Sequence, residues 1–322
     1  MLPTHAESLL LHGPRELRWT TEALPPLGPD DVLIETRAGA ISGGTELPLY
    51  RGEARAASPP HHPRMTGYEN VGAVLARGTA VTEPAIGARV VATYGHRTHA
   101  VIPARKVYPV PDDIGDELAL LLILSGDVLA GLRKLGTPPP GPAHVTGAGA
   151  IGLLAVFGLA ALGTPDIDVI EPLAARHDLA LALGVRRVIT PQEATGLRAN
   201  YAIGVECSAR DAAFAALQGA MRPYSPICVL SDGNMEPLTL TPHFHERQLT
   251  VFGSSDCPDY GAHARWYFPA ARAVRTLLPR LFDQRIVAAD LPATFAQLAA
   301  DQTLANKVFV SYLPTPRISD HA

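Results

Sequence analysis

Apolar and polar positions follow two different rhythms along this chain of 322 residues. Through about residue 115 the apolar runs are short, rich in β-branched side chains, and bounded by Gly, Pro or charge. Asp31-Val32-Leu33-Ile34-Glu35-Thr36, Val71-Gly72-Ala73-Val74-Leu75, Arg89-Val90-Val91-Ala92 and His99-Ala100-Val101-Ile102 are examples. This pattern predicts an all-β, barrel-like first domain. From Pro142 onward, strand-like segments at 143–147, 167–171, 187–189, 201–206, 227–230 and 249–253 alternate with helical text at 150–162, 172–183 and 209–221. Alternation of that kind predicts a doubly wound parallel sheet, because parallel neighbours need a crossover between them. A helix near 262–282 and a helix–strand unit over 295–310 close the pattern, and the text after Pro314 reads as a loose tail.

Composition narrows the function classes. The formal net charge is −4, with no long like-charge run, so nothing favours a nucleic-acid partner. The apolar stretch Leu118–Leu124 is followed closely by Asp127 and Arg133, and no run is long enough to span a bilayer. No charged segment followed by an apolar core opens the chain, so the expectation is a cytoplasmic protein acting on a small molecule. The 28 glycines and 30 prolines are dispersed, which indicates turns rather than disorder. Cys207, Cys228 and Cys257 are too far apart for a metal knuckle, and their odd number argues against a disulfide framework.

The strongest motif is His144-Val145-Thr146-Gly147-Ala148-Gly149-Ala150-Ile151-Gly152, with Asp168-Val169-Ile170-Glu171 downstream. It reads as a strand, a Gly-x-Gly-x-x-Gly turn, a helix, a second strand and an acid at that strand's end, which is a dinucleotide-binding fingerprint. Gly147 permits the tight turn, Gly149 lets a pyrophosphate approach the backbone, and Gly152 lets the helix lie close on the sheet. Ala150 and Ile151 open that helix, whose N-terminal amides and dipole favour phosphate. Glu171 follows Gly152 by nineteen residues, where a carboxylate can accept both ribose hydroxyls of NAD and repel a 2′-phosphate. Arg176 can stack on the adenine or touch the ribose, and can also rescue NADP binding.

A β-rich domain feeding a dinucleotide domain resembles the medium-chain dehydrogenase/reductase superfamily. Four motifs carry the resemblance in order: Ala40-Ile41-Ser42-Gly43-Gly44-Thr45-Glu46, Gly67-Tyr68-Glu69, Ile86-Gly87-Ala88-Arg89-Val90 and Asn306-Lys307-Val308. The resemblance implies a GroES-like β-barrel domain at 1–117 and 285–322, and a Rossmann domain at 118–284. Zinc members of the family place Cys and His ligands where this chain has Ser42/Gly43 and Tyr68, and their four-cysteine lobe is missing. A hydroxyl, a bare backbone and a phenol do not make a zinc site, so a zinc-independent member is expected. The Ile41-Ser42 to Glu46 text and Gly67-Tyr68-Glu69 look like the bacteriochlorophyllide dehydrogenase group, which implies a secondary-alcohol substrate.

Without zinc, side chains must move the hydroxyl proton and stabilise the alkoxide-like oxygen. Thr45 matches a proton-relaying hydroxyl of the family, or is a strand or turn Thr. Tyr68 either donates to the substrate oxygen or fills the volume left by the metal. His96 is a proton shuttle or a surface-loop His. Asp127 is a base or substrate ligand near the nicotinamide, or a helix N-cap. Glu69 orders the site. The resemblance pairs Lys307 with cofactor phosphates, against a solvated strand-end Lys. His243, His245 and His263 read as surface or cleft residues, without a carboxylate partner at helical spacing, and Arg265-Trp266-Tyr267-Phe268 reads as helix core. The expected activity is zinc-independent, NAD(H)-dependent hydride exchange between nicotinamide and a secondary alcohol or ketone, with NADP possible. A reductase of activated double bonds or quinones, and a non-catalytic NADH-binding protein, remain alternatives. The apolar segment Leu249–Phe252 would be an exposed sheet edge in a monomer, which points to a homodimer.

Overall fold

The computed structural model describes residues 1–53, 61–194, 197, 200–231, 236–301 and 305–313. The expected tail after Pro314 lies outside them. The chain divides into two compact units, residues 1–120 with 282–322, and residues 121–281.

In the first unit a seven-stranded sheet runs in the order Phe282–Val287, Lys307–Ser311, Asp31–Ile41, Glu69–Arg77, Arg89–Ala92, Tyr108–Pro109, with His99–Pro103 also paired to Asp31–Ile41. A smaller sheet sets His5–Leu11 between Leu17–Ala23 and Arg64–Met65. The alternating text at 31–36 and 71–75 supplies Val32, Ile34 and Val74 to a core with Val90, Ala92, Tyr94, Ala100 and Val107. A second cluster joins Leu9, Leu11, Ile41, Leu47, Tyr50, Phe295, Val308 and Val310. Within it Phe295 is fully buried, its ring centroid 5.6 Å from that of Tyr50. Burying one such side chain is worth about 1.5–3 kcal/mol.

The first unit is not all β. Gly43–Arg51 is a helix. Two glycines and Pro48 hide it in the sequence, since all three disfavour helix interiors. It forms because Leu47 and Tyr50 bury one face against the Phe295 cluster, and tertiary burial outweighs weak propensity. Gly52, at φ +77°, ends it in the left-handed conformation.

The second unit carries a six-stranded, wholly parallel sheet in the order Arg187–Ile189, Ile167–Ile170, Ala143–Thr146, Ile203–Glu206, Pro226–Val229, Thr250–Gly253. Helices Ala150–Ala161, His177–Ala182 and Asp211–Ala220 form the crossovers. Strand order reverses direction at Ala143–Thr146, and ligands of such sheets bind at the carboxyl ends beside that point. Thr250–Gly253 lies at one edge of the sheet. The helix expected to reach residue 282 is Tyr260–Arg272, with a separate 3-10 turn at Leu278–Leu281.

Within the sheet, Asp168 of the strand Ile167–Ile170 is fully buried and accepts from Arg186, Arg187 and the Tyr201 hydroxyl, at 2.6–2.9 Å. His144 stacks on Tyr201 with ring centroids 4.3 Å apart. Burial pushes its imidazole down to about 4, with the Asp168 charge opposing.

Candidate functional site

The glycine turn is a backbone site. Gly147 sits at φ +85°, and its amide donates to Ile170 O at 2.7 Å, closing the turn over the neighbouring strand. A Cβ on Gly152 would lie 1.9 Å from Gly147 O, so no other residue fits there without moving backbone. Gly149 caps the Ala150–Ala161 helix and has no side chain to cap it. The first helical amides, at Ala150, Ile151 and Gly152, therefore have no side-chain acceptor from the cap, the arrangement that receives phosphate oxygens. These residues fit a dinucleotide.

Glu171 is almost wholly buried and braces the turn. Its carboxylate accepts from Ala148 N at 2.7 Å and Leu173 N at 2.8 Å, with Arg176 Nη1 3.7 Å away. Two amides leave lone pairs on a carboxylate that ribose hydroxyls can use. Glu206, which the sequence reading missed, performs a parallel task one strand over. It is fully buried and accepts from Thr146, Ser208, Ala209 N and Ser231. The Cys207–Ala209 turn that it gathers lies against Gly147, whose hypothetical Cβ would be 3.4 Å from Cys207 O and Ser208.

In the first unit, side chains from distant segments meet. Ser42 Oγ and Tyr68 Oη are 2.7 Å apart, and Thr45 also hydrogen-bonds the phenol. Thr45 stands in the first turn of the Gly43–Arg51 helix rather than in a strand or turn. Burial raises the Tyr68 phenol well above its usual range; the Glu69 and Glu46 charges add to this, and the Ser42 and Thr45 hydrogen bonds pull the other way. Tyr68 is therefore a proton-bearing donor at neutral pH.

Glu46, to which the sequence reading gave no role, is the hub. One carboxylate oxygen accepts from Ser42 N at 2.8 Å; the other accepts from Gly67 N at 2.8 Å and faces His96 Nε2 at 3.1 Å. Its signal was an acid in the first turn of a helix whose presence was itself obscured. His96 is no surface residue: it is 1% exposed, stacked edge-on to Phe295 and 3.5 Å from the Tyr312 hydroxyl. Gly67, at φ +81°, lets the loop pass directly over the His96 ring, which a Cβ would approach to 2.8 Å.

Lys307 is neither solvated nor open to an anion at its tip. It is 3% exposed, and its Nζ donates to Glu69 Oε1 at 2.6 Å. Each buried charge compensates the other.

Asp127 is not an N-cap. It lies inside the Asp116–Arg133 helix and accepts from Tyr260 Oη at 2.6 Å and Cys257 N at 2.9 Å. Burial raises its carboxyl to about 6 against both hydrogen bonds. His263 is 1% exposed rather than at a surface, 2.9 Å from Ser125 Oγ, with its imidazole pushed down to about 4 by burial and by Arg133. His243 does have a carboxylate partner at helical spacing, Glu246, at 3.2 Å. Tyr267 and Phe268 are buried, as helix core.

Among the described residues, no group of three or more His, Cys, Asp or Glu side chains is placed to hold a metal ion. At the positions where the motifs would put the first two zinc ligands, Ser42 and Tyr68 offer hydroxyls to each other. That donor pair does not suit Zn²⁺, which takes thiolate, imidazole or carboxylate.

Residues 28–112 match the alcohol dehydrogenase GroES-like domain. Over 263 residues the chain is 28% identical to an L-threonine 3-dehydrogenase from Chelativorans sp. (strain BNC1), covering 70% of this chain and 76% of that protein. The chain is thus similar to proteins of the medium-chain dehydrogenase/reductase superfamily. Solved structures agree on the fold. L-idonate 5-dehydrogenase from Escherichia coli superposes with a TM-score of 0.84 at 15% identity, over 96% of this chain and 98% of that one. A 2R,3R-butanediol dehydrogenase from Bacillus subtilis gives 0.79 at 20% identity, over 96% and 100%. No helix among the described residues is long and apolar enough to cross a membrane.

Proposed function

We propose that this chain is a zinc-independent, NAD(H)-dependent medium-chain oxidoreductase exchanging a hydride with a secondary alcohol or ketone. One observation carries the reading: in a hydroxyl trio of Ser42, Thr45 and Tyr68, Ser42 and Tyr68 stand where the motifs of zinc members put metal ligands. The dinucleotide, held by the Gly147–Gly152 turn and Glu171, supplies the two-electron hydride acceptor or donor. Glu171 favours NAD, and Arg176 is the residue through which NADP would be accommodated.

Tyr68 does the work of the missing Lewis acid. Held protonated, it donates to the substrate oxygen and stabilises the negative charge that grows there during reduction. The oxygen takes the phenolic proton, and a proton from bulk water, relayed through the Ser42 or Thr45 hydroxyl, replaces it on Tyr68. In the oxidative direction the same protons run backwards. His96 and Asp127 leave the proton path under this reading, because each is held by internal partners.

A second reading has a specific support. A neutral donor polarises the carbonyl of an enone or quinone equally well and needs no base for an alcohol proton, so a reductase of activated double bonds uses the same trio. Nicotinamide absorbance with chelator-treated protein separates the two. Turnover of pooled secondary alcohols with NAD, or ketones with NADH, is expected to survive chelation. Activity confined to enones or quinones selects the reductase; activity that requires added zinc overturns the trio's role; cofactor binding without any turnover selects a non-catalytic binder. A homodimer formed along the Thr250–Gly253 edge is part of the proposal, checked by light scattering.

A further inference from the structure

Glu46 makes an arrangement that the proposed chemistry does not by itself require. Its carboxylate gathers three donors from three segments: Ser42 N at the helix entrance, Gly67 N in the loop, and His96 Nε2 beyond the strand Arg89–Ala92. The first donor belongs to one member of the Ser42–Tyr68 pair, and the second directly precedes the other. Glu46 is 4% exposed, so these bonds form away from water. We infer that Glu46 is a positioning residue, a clamp that holds Ser42 and Tyr68 at hydrogen-bonding distance; this rests on the trio's proposed role in catalysis.

The geometry explains why an acid is needed. A helix entered by Ser normally uses the Ser side chain to cap its own amides. Here Ser42 makes no such bond; its hydroxyl is turned to Tyr68. Glu46 supplies the reciprocal bond, reaching back to accept from the Ser42 amide, so the helix entrance is tied down while the Ser42 hydroxyl serves the site. The other oxygen fixes the left-handed turn at Gly67, the residue directly before Tyr68. His96 closes the arrangement: with its Nε2 proton on Glu46, its Nδ1 is the acceptor facing Tyr312 Oη at 3.5 Å.

An amide cannot replace this carboxylate. Glutamine at 46 would present one oxygen and one NH₂ to three donors. His96 can change tautomer to accept from the NH₂, but neither backbone amide can. Whichever way the amide turns, the Ser42 or the Gly67 amide loses its acceptor.

The test compares wild type, Glu46→Gln, Glu46→Asp, Tyr68→Phe and the Glu46→Gln/Tyr68→Phe double variant. Hydrogen exchange by mass spectrometry reads the clamp without any substrate. Glu46→Gln is expected to speed exchange at least tenfold in segments spanning Ser42 or Gly67, with the glycine turn at 147–152 unchanged. With a substrate in hand, Glu46→Gln should lower kcat about 10–100-fold, leave cofactor Kd within twofold, and cost less than threefold more once Tyr68 is Phe. Glu46→Asp, which keeps both oxygens on a shorter arm, should fall between wild type and Gln, and it carries the test if the Gln variant does not fold. Unchanged exchange in both segments, or equal kcat losses in the Tyr and Phe backgrounds, overturns the clamp. A fully active Tyr68→Phe would instead sink the trio's catalytic role, and the exchange data would still decide the clamp.

Discussion

The glycine turn of one unit and the hydroxyl trio of the other are built from opposite materials. The turn is made of backbone: its essential feature is what Gly147, Gly149 and Gly152 lack. The trio is made of side chains from the Gly43–Arg51 helix, its entrance and the Gly67–Glu69 loop, drawn together by Glu46 and backed by the Lys307–Glu69 pair. A backbone site tolerates no added atom but is local. A side-chain site tolerates modest change but depends on residues hundreds of positions apart, as Glu69 and Lys307 are.

Substitutions can break this comparison at either end. The largest effect is expected for Gly152→Val, because even its Cβ would stand 1.9 Å from a carbonyl oxygen. Loss of cofactor binding by more than 100-fold, seen by calorimetry, should accompany a lower melting temperature of the 121–281 unit; retained affinity would show that the turn is more plastic than its contacts imply. Next is Lys307→Met, which takes the buried cation away from the buried Glu69 carboxylate. A loss of about 3–5 kcal/mol in denaturant unfolding is expected for breaking such a pair, and Lys307→Met/Glu69→Gln should recover most of it.

Tyr68→Phe removes one hydroxyl and little volume. It should lower kcat about 100-fold, near 2.7 kcal/mol, in line with loss of a single donor to a developing oxyanion, with cofactor affinity unchanged. An equal loss in cofactor affinity would mean that the side-chain site and the backbone site are not separable.

The smallest effect concerns Asp127, whose carboxyl is raised to about 6 from an ordinary 3.8. A raised acid favours the folded state when protonated, so its contribution is present below about 3.8 and is lost as pH rises through about 6. His144 and His263, depressed to about 4, act oppositely: their contribution is present above about 6.5 and is lost as pH falls through about 4. The difference between wild type and Asp127→Asn isolates the first term. Wild type should gain on the order of 1–2 kcal/mol relative to Asn between pH 7 and pH 5; parallel melting curves over that range would refute the shift.

The sequence alone determined the second unit almost element by element. Its central strands are buried on both faces and its crossovers are local, so periodicity and glycine spacing state the fold directly, and the glycine turn reads straight from residues 144–152. The same text also named Tyr68 and Thr45, through their seats in recognisable motifs. Tertiary structure decided the rest. It made Gly43–Arg51 a helix, because Leu47 and Tyr50 found the Phe295 cluster. It turned Lys307 inward to Glu69, and it placed Asp127 against Tyr260 and His96 against Glu46. These outcomes depend on which buried donor meets which buried acceptor across long stretches of chain. Desolvation makes such pairings obligatory, but only the folded arrangement chooses the partners.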